Sequence, residues 1–246
     1  MKRVSHRVKT PRAIAAEWDA IAATRERQIA DGFDHSATEV LAPAILKLLP
    51  RVDRLVDVGC GTGWLTVLAA RKAGRVVGVD ASLRSIELAM RSHSRKNVAY
   101  IHAEFGQFVR ANHGAFGAAF ANMTLSTVAG LLRLLRAVHS ALAPGGVFVF
   151  TVPHPCFWPT YWGYSNASWF EYGMEAAIEA SFKIGAEKTS YVTTHFHRPL
   201  QTYIEALRQT SFTLDSLREL HGRDFEYPRF LVARCVRERI ARLTSR

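Results

Sequence analysis

Hydrophobic and polar positions follow two patterns along residues 13–152 of the chain, one typical of helices and one typical of strands. Apolar residues recur at helical spacing in Ala13–Ile29 and Thr38–Leu49, and Pro50 closes the second segment. From residue 55 onward, short apolar runs typical of buried strands take turns with helical segments. This order predicts a parallel sheet with helices on both faces.

The pattern predicts seven strands and the helices that connect them. The strands are Leu55–Val58, Val76–Val79, Val98–His102, Ala118–Ala121, Val147–Val152, Phe212–Leu220 and Arg229–Val236. The later helices are Trp64–Ala73, Leu83–Arg91 with Ser82 as its N-cap, Ala129–Leu142 and Leu200–Thr210. We therefore predict an α/β fold with a doubly wound, mostly parallel, seven-stranded sheet.

A glycine-rich loop follows the first of these strands. Gly59, Gly61 and Gly63 alternate directly after the apolar run, so the backbone can turn tightly and a ligand can come close. Asp80 ends the next strand about twenty residues later, where βαβ units hold an acid against ribose hydroxyls. The arrangement predicts a nucleoside ligand.

The residue after the third glycine narrows the choice of nucleoside. Dinucleotide-binding loops need a small residue where this chain has Trp64, so that class is disfavoured. The segment Asp57–Gly63 closely resembles motif I of the class I S-adenosylmethionine-dependent methyltransferases. Ala143–Phe150 resembles that family's helix-turn-strand step, although Gly117 stands where the family often has an aspartate. The resemblance covers roughly residues 38–152.

The resemblance implies S-adenosyl-L-methionine as the cofactor. It implies that the glycine loop lies against the methionine part, that Asp57 orients the amino group, and that Glu104 reaches the adenine amino group. It also implies a Rossmann-like methyltransferase fold. The cofactor-binding residues so implied are Asp57, Gly59, Gly61, Gly63, Asp80, Ala81, Glu104, Phe105, Asn122, Met123 and Leu125.

Beyond residue 152 the alternation stops, and eight aromatic residues crowd into residues 157–172 without a helical or strand period. An insertion at the carboxyl ends of the strands overhangs the ligand site of such sheets. We therefore predict a lid that builds the acceptor pocket over residues 153–199. Residues 1–50 are predicted as an N-terminal helical cap, and residues 51–152 with 200–246 as the α/β core.

Three histidines are candidate proton acceptors, because the ordinary pKa of histidine is near neutrality. His154 follows the fifth strand, and His195 and His197 are expected to share one side of an extended segment. The alternative is a structural role for each. These elements resemble a small-molecule (natural-product) subgroup of the methyltransferases, in which the second element re-enters the sheet beneath the lid. A metal site is not expected, because a third close ligand is missing.

Other residues near these motifs have mainly structural interpretations. Arg198 is expected to meet a carboxylate at a helix end, with an acidic group of the substrate as the alternative, and Asp19 is expected to face solvent. Trp18 and Phe33 are expected either in the core or over the cofactor. Cys156 follows a proline, but after the fifth strand rather than the fourth, so a cytosine-methylating nucleophile is disfavoured.

Composition limits the classes of partner and location. The net charge of +11 lies in the two ends: residues 1–12 and 229–246 each carry +5, and residues 13–228 carry +1. Nucleic acid is therefore disfavoured as a partner. No apolar run reaches membrane-spanning length. The three scattered cysteines and the lack of a secretory signal pattern predict a reducing cytoplasm. The assembly is left open, with a homodimer as one alternative.

These observations predict a methyltransferase that acts on a small, aromatic or apolar acceptor. Oxygen is the first expectation for the acceptor atom, followed by nitrogen and then carbon, with histidine-assisted deprotonation of a hydroxyl. Two alternatives remain. One is an RNA methyltransferase that uses the basic termini, and the other is a cofactor-binding enzyme that does not methylate.

Overall fold

The computed structural model describes residues 3–4, 9–184 and 187–238, and the predicted alternation of strands and helices is present there. The strands are β1 (Arg3–Val4), β2 (Val52–Val58), β3 (Ala73–Asp80), β4 (Val98–His102), β5 (Phe116–Asn122), β6 (Leu142–Pro153), β7 (Ala176–Ile184), β8 (Glu187–His197), β9 (Phe212–Leu220) and β10 (Phe230–Arg237). The α-helices are α1 (Pro11–Ala30), α2 (Ala42–Leu48), α3 (Trp64–Ala69), α4 (Leu83–Ser92), α5 (Phe105–Val109), α6 (Leu131–Ala141), α7 (Trp158–Tyr161) and α8 (Leu200–Gln209). A π-helical turn over Ser36–Leu41 leads into α2.

The central sheet has seven strands in the order β4-β3-β2-β5-β6-β10-β9. Strands β2 to β6 pair in parallel, and β10 runs antiparallel to both of its neighbours. The order reverses between β2 and β5, so the loops after these strands diverge and leave a crevice at their carboxyl ends. The doubly wound, mostly parallel fold predicted from the sequence is confirmed.

Helices cover both faces of this sheet because each buries one apolar stripe. Leu135 and Val138 of α6 pack on one face together with Leu207 of α8. Ile45 of α2 and Leu65 of α3 pack on the other face. The strand interiors are correspondingly apolar on both sides, which explains their continuous hydrophobic runs.

The helix α4 begins at the predicted N-cap. The hydroxyl of Ser82 accepts a hydrogen bond from the backbone N–H of Ser85 at 3.0 Å. The same hydroxyl donates to Asp19 of α1 at 2.6 Å, and Asp19 also accepts from the backbone N–H of Arg84 at 3.0 Å. The expectation that Asp19 faces solvent is therefore wrong, because it attaches α1 to the first turn of α4.

Gly117 lies inside β5 rather than before it. A Cβ there would lie 3.0 Å from Cγ1 of Val52, and the pairing of β5 with β6 shifts register between Phe116 and Ala118. Close packing against β2 therefore favours glycine over the aspartate that the resembled family often has at this place.

The insertion after β6 is more regular than the sequence predicts. The strands β7 and β8 form an antiparallel hairpin, and β1 pairs with the outer edge of β7 in a separate three-stranded sheet. The expectation that the segment around His195 and His197 re-enters the central sheet is wrong, because that strand pairs with β7 instead. The expectation that both histidines share one side of an extended strand is confirmed, since both rings contact Tyr164.

Polar contacts join the hairpin to α1. Glu17 of α1 accepts hydrogen bonds from the backbone N–H and the hydroxyl of Thr194, at 2.7 and 3.0 Å. Lys9 lies 2.7 Å from carboxylate oxygens of both Glu17 and Glu179 of β7. The first helix and the hairpin therefore act as one wall beside the sheet. Over residues 9–184 and 187–238, no helix is both long and apolar enough to cross a bilayer.

Truncation of a core leucine on α6 is expected to destabilise the fold. Leu135 is fully buried, whereas Leu217 on β9 is 39% exposed. Leu135→Ala should lower the free energy of unfolding by about 2–5 kcal/mol, because it removes buried methyl groups and leaves a cavity. Leu217→Ala should lower it by less than about 1 kcal/mol. Chemical denaturation of both variants measures the difference, and equal losses would contradict the assignment of this face as core.

Candidate active site

A cavity of about 1290 Å³ opens at the carboxyl ends of the parallel strands. The loops after β2, β3, β4 and β5 form its floor, and α1 with the segment that follows it forms one side. The rest of the wall comes from α7, β7 and the connection between β9 and β10. Pockets for a single drug-sized ligand measure roughly 300–1,000 Å³. This cavity therefore has room for a nucleoside ligand and a second molecule.

The glycine loop forms part of the floor and needs its glycines. The φ angles of Gly59 and Gly63 are 72° and 87°. A Cβ on Gly59 would lie 2.5 Å from the hydroxyl of Thr124, and one on Gly63 would lie 2.6 Å from the hydroxyl of Tyr100. Gly61 has φ 54°, lines the cavity and has no atom within 4 Å of a Cβ position, so this turn of backbone is open to a ligand.

Asp80 connects the glycine loop to the turn after β3. One carboxylate oxygen accepts from the backbone N–H of Gly61 and the other from that of Ser82, both at 2.8 Å. Burial raises the pKa of Asp80, and these two N–H donors oppose the shift. Asp80 and Ala81 both line the cavity. Each carboxylate oxygen keeps a lone pair for a further donor, such as a ribose hydroxyl.

Asp57 is the most perturbed acid of the cavity. Its carboxyl is 2% exposed and accepts a hydrogen bond from the hydroxyl of Thr66 at 2.6 Å. Burial raises the pKa of Asp57 to about 8; the Thr66 hydrogen bond opposes this shift and the charge of Asp80 adds to it. A bound cation would reverse the effect, because it favours the carboxylate. Asp57 therefore suits the amino group of a ligand.

The loops after β4 and β5 complete the floor. Glu104 is exposed and lines the cavity beside Phe105, and its side chain has no hydrogen-bond partner within the described part of the chain. Asn122 and Met123 line the cavity after β5. The amide oxygen of Asn122 accepts from the hydroxyl of Thr151 at 2.7 Å, and Met123 has a φ of 62°.

Two of the residues implied by the resemblance are not on the cavity surface. Leu125 is fully buried in the core, and Gly63 packs against Tyr100. Both support the loops that line the cavity rather than form its wall. The other nine implied cofactor residues lie on that wall. These are Asp57, Gly59, Gly61, Asp80, Ala81, Glu104, Phe105, Asn122 and Met123.

The three histidines singled out in the sequence are packed outside the cavity wall. His154 is 2% exposed; its Nδ1 accepts from the backbone N–H of Cys156 at 3.2 Å, so its Nε2 donates to Glu219 at 2.9 Å. Burial lowers the pKa of His154, and Glu219 opposes the shift. The ring is therefore held between two hydrogen-bond partners.

His195 and His197 lie beneath the aromatic cluster of the insertion. The ring of His195 lies 4.7 Å from that of Trp162, and burial lowers the pKa of His195 to about 3. Nε2 of His197 donates to the carbonyl of Tyr172 at 3.0 Å, and burial lowers the pKa of His197 as well. Both rings therefore stay neutral at physiological pH.

Arg198 adopts the structural role expected for it. It is buried, forms an ion pair with Glu175 at 2.8 Å, and donates to the carbonyls of Leu125 and Val128 at 2.8 and 2.7 Å. It thereby joins the end of β8 to the segment after β5 that lines the cavity.

Several cavity residues have no signal in the sequence. His35 lines the wall, and its Nδ1 lies 3.1 Å from Oε1 of Glu39. Arg223 contacts both oxygens of Glu39 at 2.7 Å. These residues come from segments 184 positions apart, so no local pattern could have grouped them. Trp18 and Phe33 line the cavity, which is the position expected if they lie over the cofactor rather than in the core.

The described residues contain no candidate metal site. Over residues 9–184 and 187–238, no group of three or more His, Cys, Asp or Glu side chains could hold a metal ion. Cys60, Cys156 and Cys235 are all free thiols.

The donor set of the floor fits S-adenosyl-L-methionine. Its floor includes a buried acid, a second acid bonded to the glycine turn, and an exposed acid beside an aromatic residue. The fold together with this site defines a nucleoside-binding α/β enzyme of the Rossmann-like methyltransferase type.

Comparisons with known proteins identify the family. A methyltransferase-domain family model matches residues 33–217, and the chain belongs to this family of S-adenosylmethionine-dependent methyltransferases. An S-adenosylmethionine-dependent methyltransferase of Mesorhizobium loti is 25% identical and superposes with a TM-score of 0.60, covering 79% of this chain and 96% of its own.

Two further relatives have more specific names. N-demethylindolmycin N-methyltransferase of Streptomyces griseus is 30% identical over 105 residues, 41% of this chain and 44% of its own. The 1,6-didemethyltoxoflavin-N1-methyltransferase of Burkholderia thailandensis, solved with 1,6-didemethyltoxoflavin and S-adenosylhomocysteine, is 18% identical; it has a TM-score of 0.62 and covers 96% of this chain and 93% of its own. The matches with the first curated relatives span 34–65% of those proteins' lengths.

Replacement of Asp57 is expected to stabilise the ligand-free protein. The pKa of Asp57 is about 8 in the fold against an ordinary 3.8, so the unfolded chain ionises first as pH rises. The wild-type protein therefore loses free energy of unfolding as pH rises from about 4 to about 8. Asp57→Asn cannot ionise, so it should gain on wild type over this range by up to about 1.4 kcal/mol per pH unit.

Denaturant titrations at about pH 5 and about pH 8 measure this gain. Asp53→Asn is the matched control, because Asp53 lies on the same strand with an exposed side chain. A variant that is equally or less stable than wild type at both pH values would contradict the burial of an uncompensated carboxyl.

Proposed function

We propose that this protein transfers the methyl group of S-adenosyl-L-methionine to an oxygen or nitrogen of a small aromatic acceptor. One observation carries the proposal. The same cavity is lined by the acids and glycines of the floor and by the rings of Trp158, Tyr161 and Trp162. A donor on the floor and a flat acceptor on the aromatic rings would therefore share one cavity.

The aromatic wall is built to bury a flat molecule. The ring of Trp158 lies 5.2 Å from Tyr161, 5.6 Å from Trp162 and 5.8 Å from Phe230. Aromatic rings stack with large buried area and little loss of rotamer freedom, so such a wall favours planar apolar ligands. The names of the Streptomyces and Burkholderia relatives, both N-methyltransferases, support this acceptor class.

The protein's part in the reaction is alignment, exclusion of water and removal of a proton. S-adenosyl-L-methionine supplies a methyl group on a sulfonium, which an acceptor lone pair attacks in line while the C–S electrons return to sulfur. Asp57 and Asp80 would hold the amino group and the ribose, and Asn122 and Met123 flank the space between floor and wall. The aromatic wall excludes water from that space.

A hydroxyl acceptor also needs a base, and we assign that role to His35. His35 lines the cavity, unlike His154, His195 and His197, which keep a structural role in this proposal. Desolvation raises the pKa of Glu39, but hydrogen bonds from Arg223 and His35 outweigh it and lower this pKa overall. The resulting carboxylate accepts from Nδ1 of His35, which leaves Nε2 as the acceptor of the proton.

The alternatives draw less support from the site. An RNA methyltransferase would depend on the basic termini, and residues 1–2, 5–8 and 239–246 lie outside the described residues. A cofactor-binding enzyme that does not methylate would use the same floor, so only turnover separates it. The cytoplasmic location and the homodimer stay predictions.

Turnover on a panel of phenols and aromatic amines tests the proposal. With methyl-labelled S-adenosyl-L-methionine, at least one acceptor should gain about 14 mass units. Calorimetry with S-adenosylhomocysteine, run in parallel, reports occupancy of the floor. Binding without a mass gain on any acceptor would favour the non-methylating alternative.

Loss of the His35 imidazole should slow the methylation of hydroxyl acceptors. His35→Asn should reduce kcat for a phenol by about 10²-fold or more, because it removes the proton acceptor. An amine attacks through its lone pair before it loses a proton, so its rate should change much less.

The matched control is His113→Asn, an exposed histidine that contacts Ser140. It should leave both rates unchanged, and both variants should bind S-adenosylhomocysteine as wild type does. Equal rates of phenol methylation for wild type and His35→Asn would exclude His35 as the base.

A further inference from the structure

The cavity holds a guanidinium that forms no ion pair with any carboxylate of the described residues. Arg229 lines the same cavity as the glycine loop and is half-buried. Its Cζ is 4.0 Å from the ring centroid of Tyr161 and 5.2 Å from that of Phe230. Among residues 9–184 and 187–238, no carboxylate oxygen comes within the 4.0 Å ion-pair distance of its nitrogens.

Two other arginines that line the cavity form ion pairs. Arg25 forms an ion pair with Asp34 at 2.8 Å, and Arg223 contacts both oxygens of Glu39 at 2.7 Å. The other oxygen of Asp34 accepts from the backbone N–H of Ala37 at 3.0 Å. The positive charge of Arg229 is therefore unmatched at close range.

The position of Arg229 depends on a neighbouring glycine. A Cβ on Gly222 would lie 2.4 Å from Cδ of Arg229 and 2.6 Å from its Nη1. The missing side chain leaves a slot in which the arginine lies flat, with Nη1 donating to the carbonyl of Arg223 at 3.3 Å. Nε of Arg229 is buried without a hydrogen-bond partner. Local packing therefore holds the guanidinium on the wall.

A half-buried cation without a partner is costly, because it has lost part of its hydration without gaining an opposite charge. Burial lowers the pKa of Arg229, although Tyr161 and the more distant acids Asp34 and Asp224 oppose the shift. The acids of the floor line the same cavity, and there the resemblance implies a cationic cofactor. The cavity therefore offers partners to ligand groups of both signs.

We propose that Arg229 binds a carboxylate of the acceptor, so that the acceptor class is aromatic acids. This inference rests on the proposed function and names its substrate class. The guanidinium binds the carboxylate through paired N–H donors, and the ring of the acceptor packs on the same wall as Tyr161 and Trp158. An acid thus gains both a charge partner and a stacking surface.

Calorimetry with acid and amide pairs tests the proposal on the full chain. The probes are indole-3-carboxylate against indole-3-carboxamide and 4-hydroxybenzoate against 4-hydroxybenzamide, with saturating S-adenosylhomocysteine and fixed salt. Each acid should bind wild type about tenfold or more tightly than its amide. Arg229→Gln should remove that preference, and Arg229→Lys should restore it only in part because a lysine lacks the fork.

Two further variants separate position from charge. Gly222→Ala keeps the guanidinium but displaces it, so it should also weaken binding of the acids. Arg136→Gln removes an exposed charge of α6 that does not line the cavity, and it should bind all probes as wild type does.

Acid and amide affinities that are equal in wild type, including binding of neither, would overturn the proposal. So would an Arg229→Gln variant that keeps the acid preference. Binding of S-adenosylhomocysteine tests the cofactor site separately, and its absence contradicts the proposed function. Methylation of neutral acceptors without a preference for acids contradicts only the carboxylate site.

Discussion

The carboxylate of Asp80 is the contact on which the geometry of the site depends. It joins the turn after β2 to the turn after β3 through one N–H donor from each, Gly61 and Ser82. The backbone N–H groups of Gly59 and Cys60 both donate to the carbonyl of Val79. The glycine loop is therefore bonded to the last two residues of β3, Val79 and Asp80. A loop of glycines has many accessible conformations, and these bonds select one. The remaining floor residues face a loop whose shape is already determined.

The wall opposite the floor is attached by polar contacts rather than by sheet pairing. Arg198 connects the end of β8 to the carbonyls of Leu125 and Val128, so the hairpin is coupled to the loop after β5. On the other side, Glu17 bonds to Thr194 of the same hairpin. Buried polar contacts of this kind are direction-specific and tolerate little displacement. The cavity therefore keeps its shape although its wall does not belong to the central sheet.

Much of the core could be predicted because its signals are local. The strands are short apolar runs, and the glycine loop with its acids follows a fixed spacing within one βαβ unit. Contacts between distant segments could not be predicted. Asp19 shows no local sign of a partner, because Ser82 lies 63 residues away. The hairpin was missed because β7, packed on both sides near its start, lacks strict alternation. For His154, sequence identifies a residue at the end of a strand but not the direction of its side chain.

The bond between Glu17 and Thr194 spans 177 residues, and the contact between Arg223 and Glu39 spans 184. During synthesis α1 emerges first and the hairpin only after β6 has been made. The sheet from β2 to β6 can begin to form from neighbouring segments, whereas the wall waits for the last quarter of the chain. The floor and the wall therefore belong to different stages of folding, and a nascent chain can acquire its nucleoside-binding turn well before it encloses a space for a second molecule.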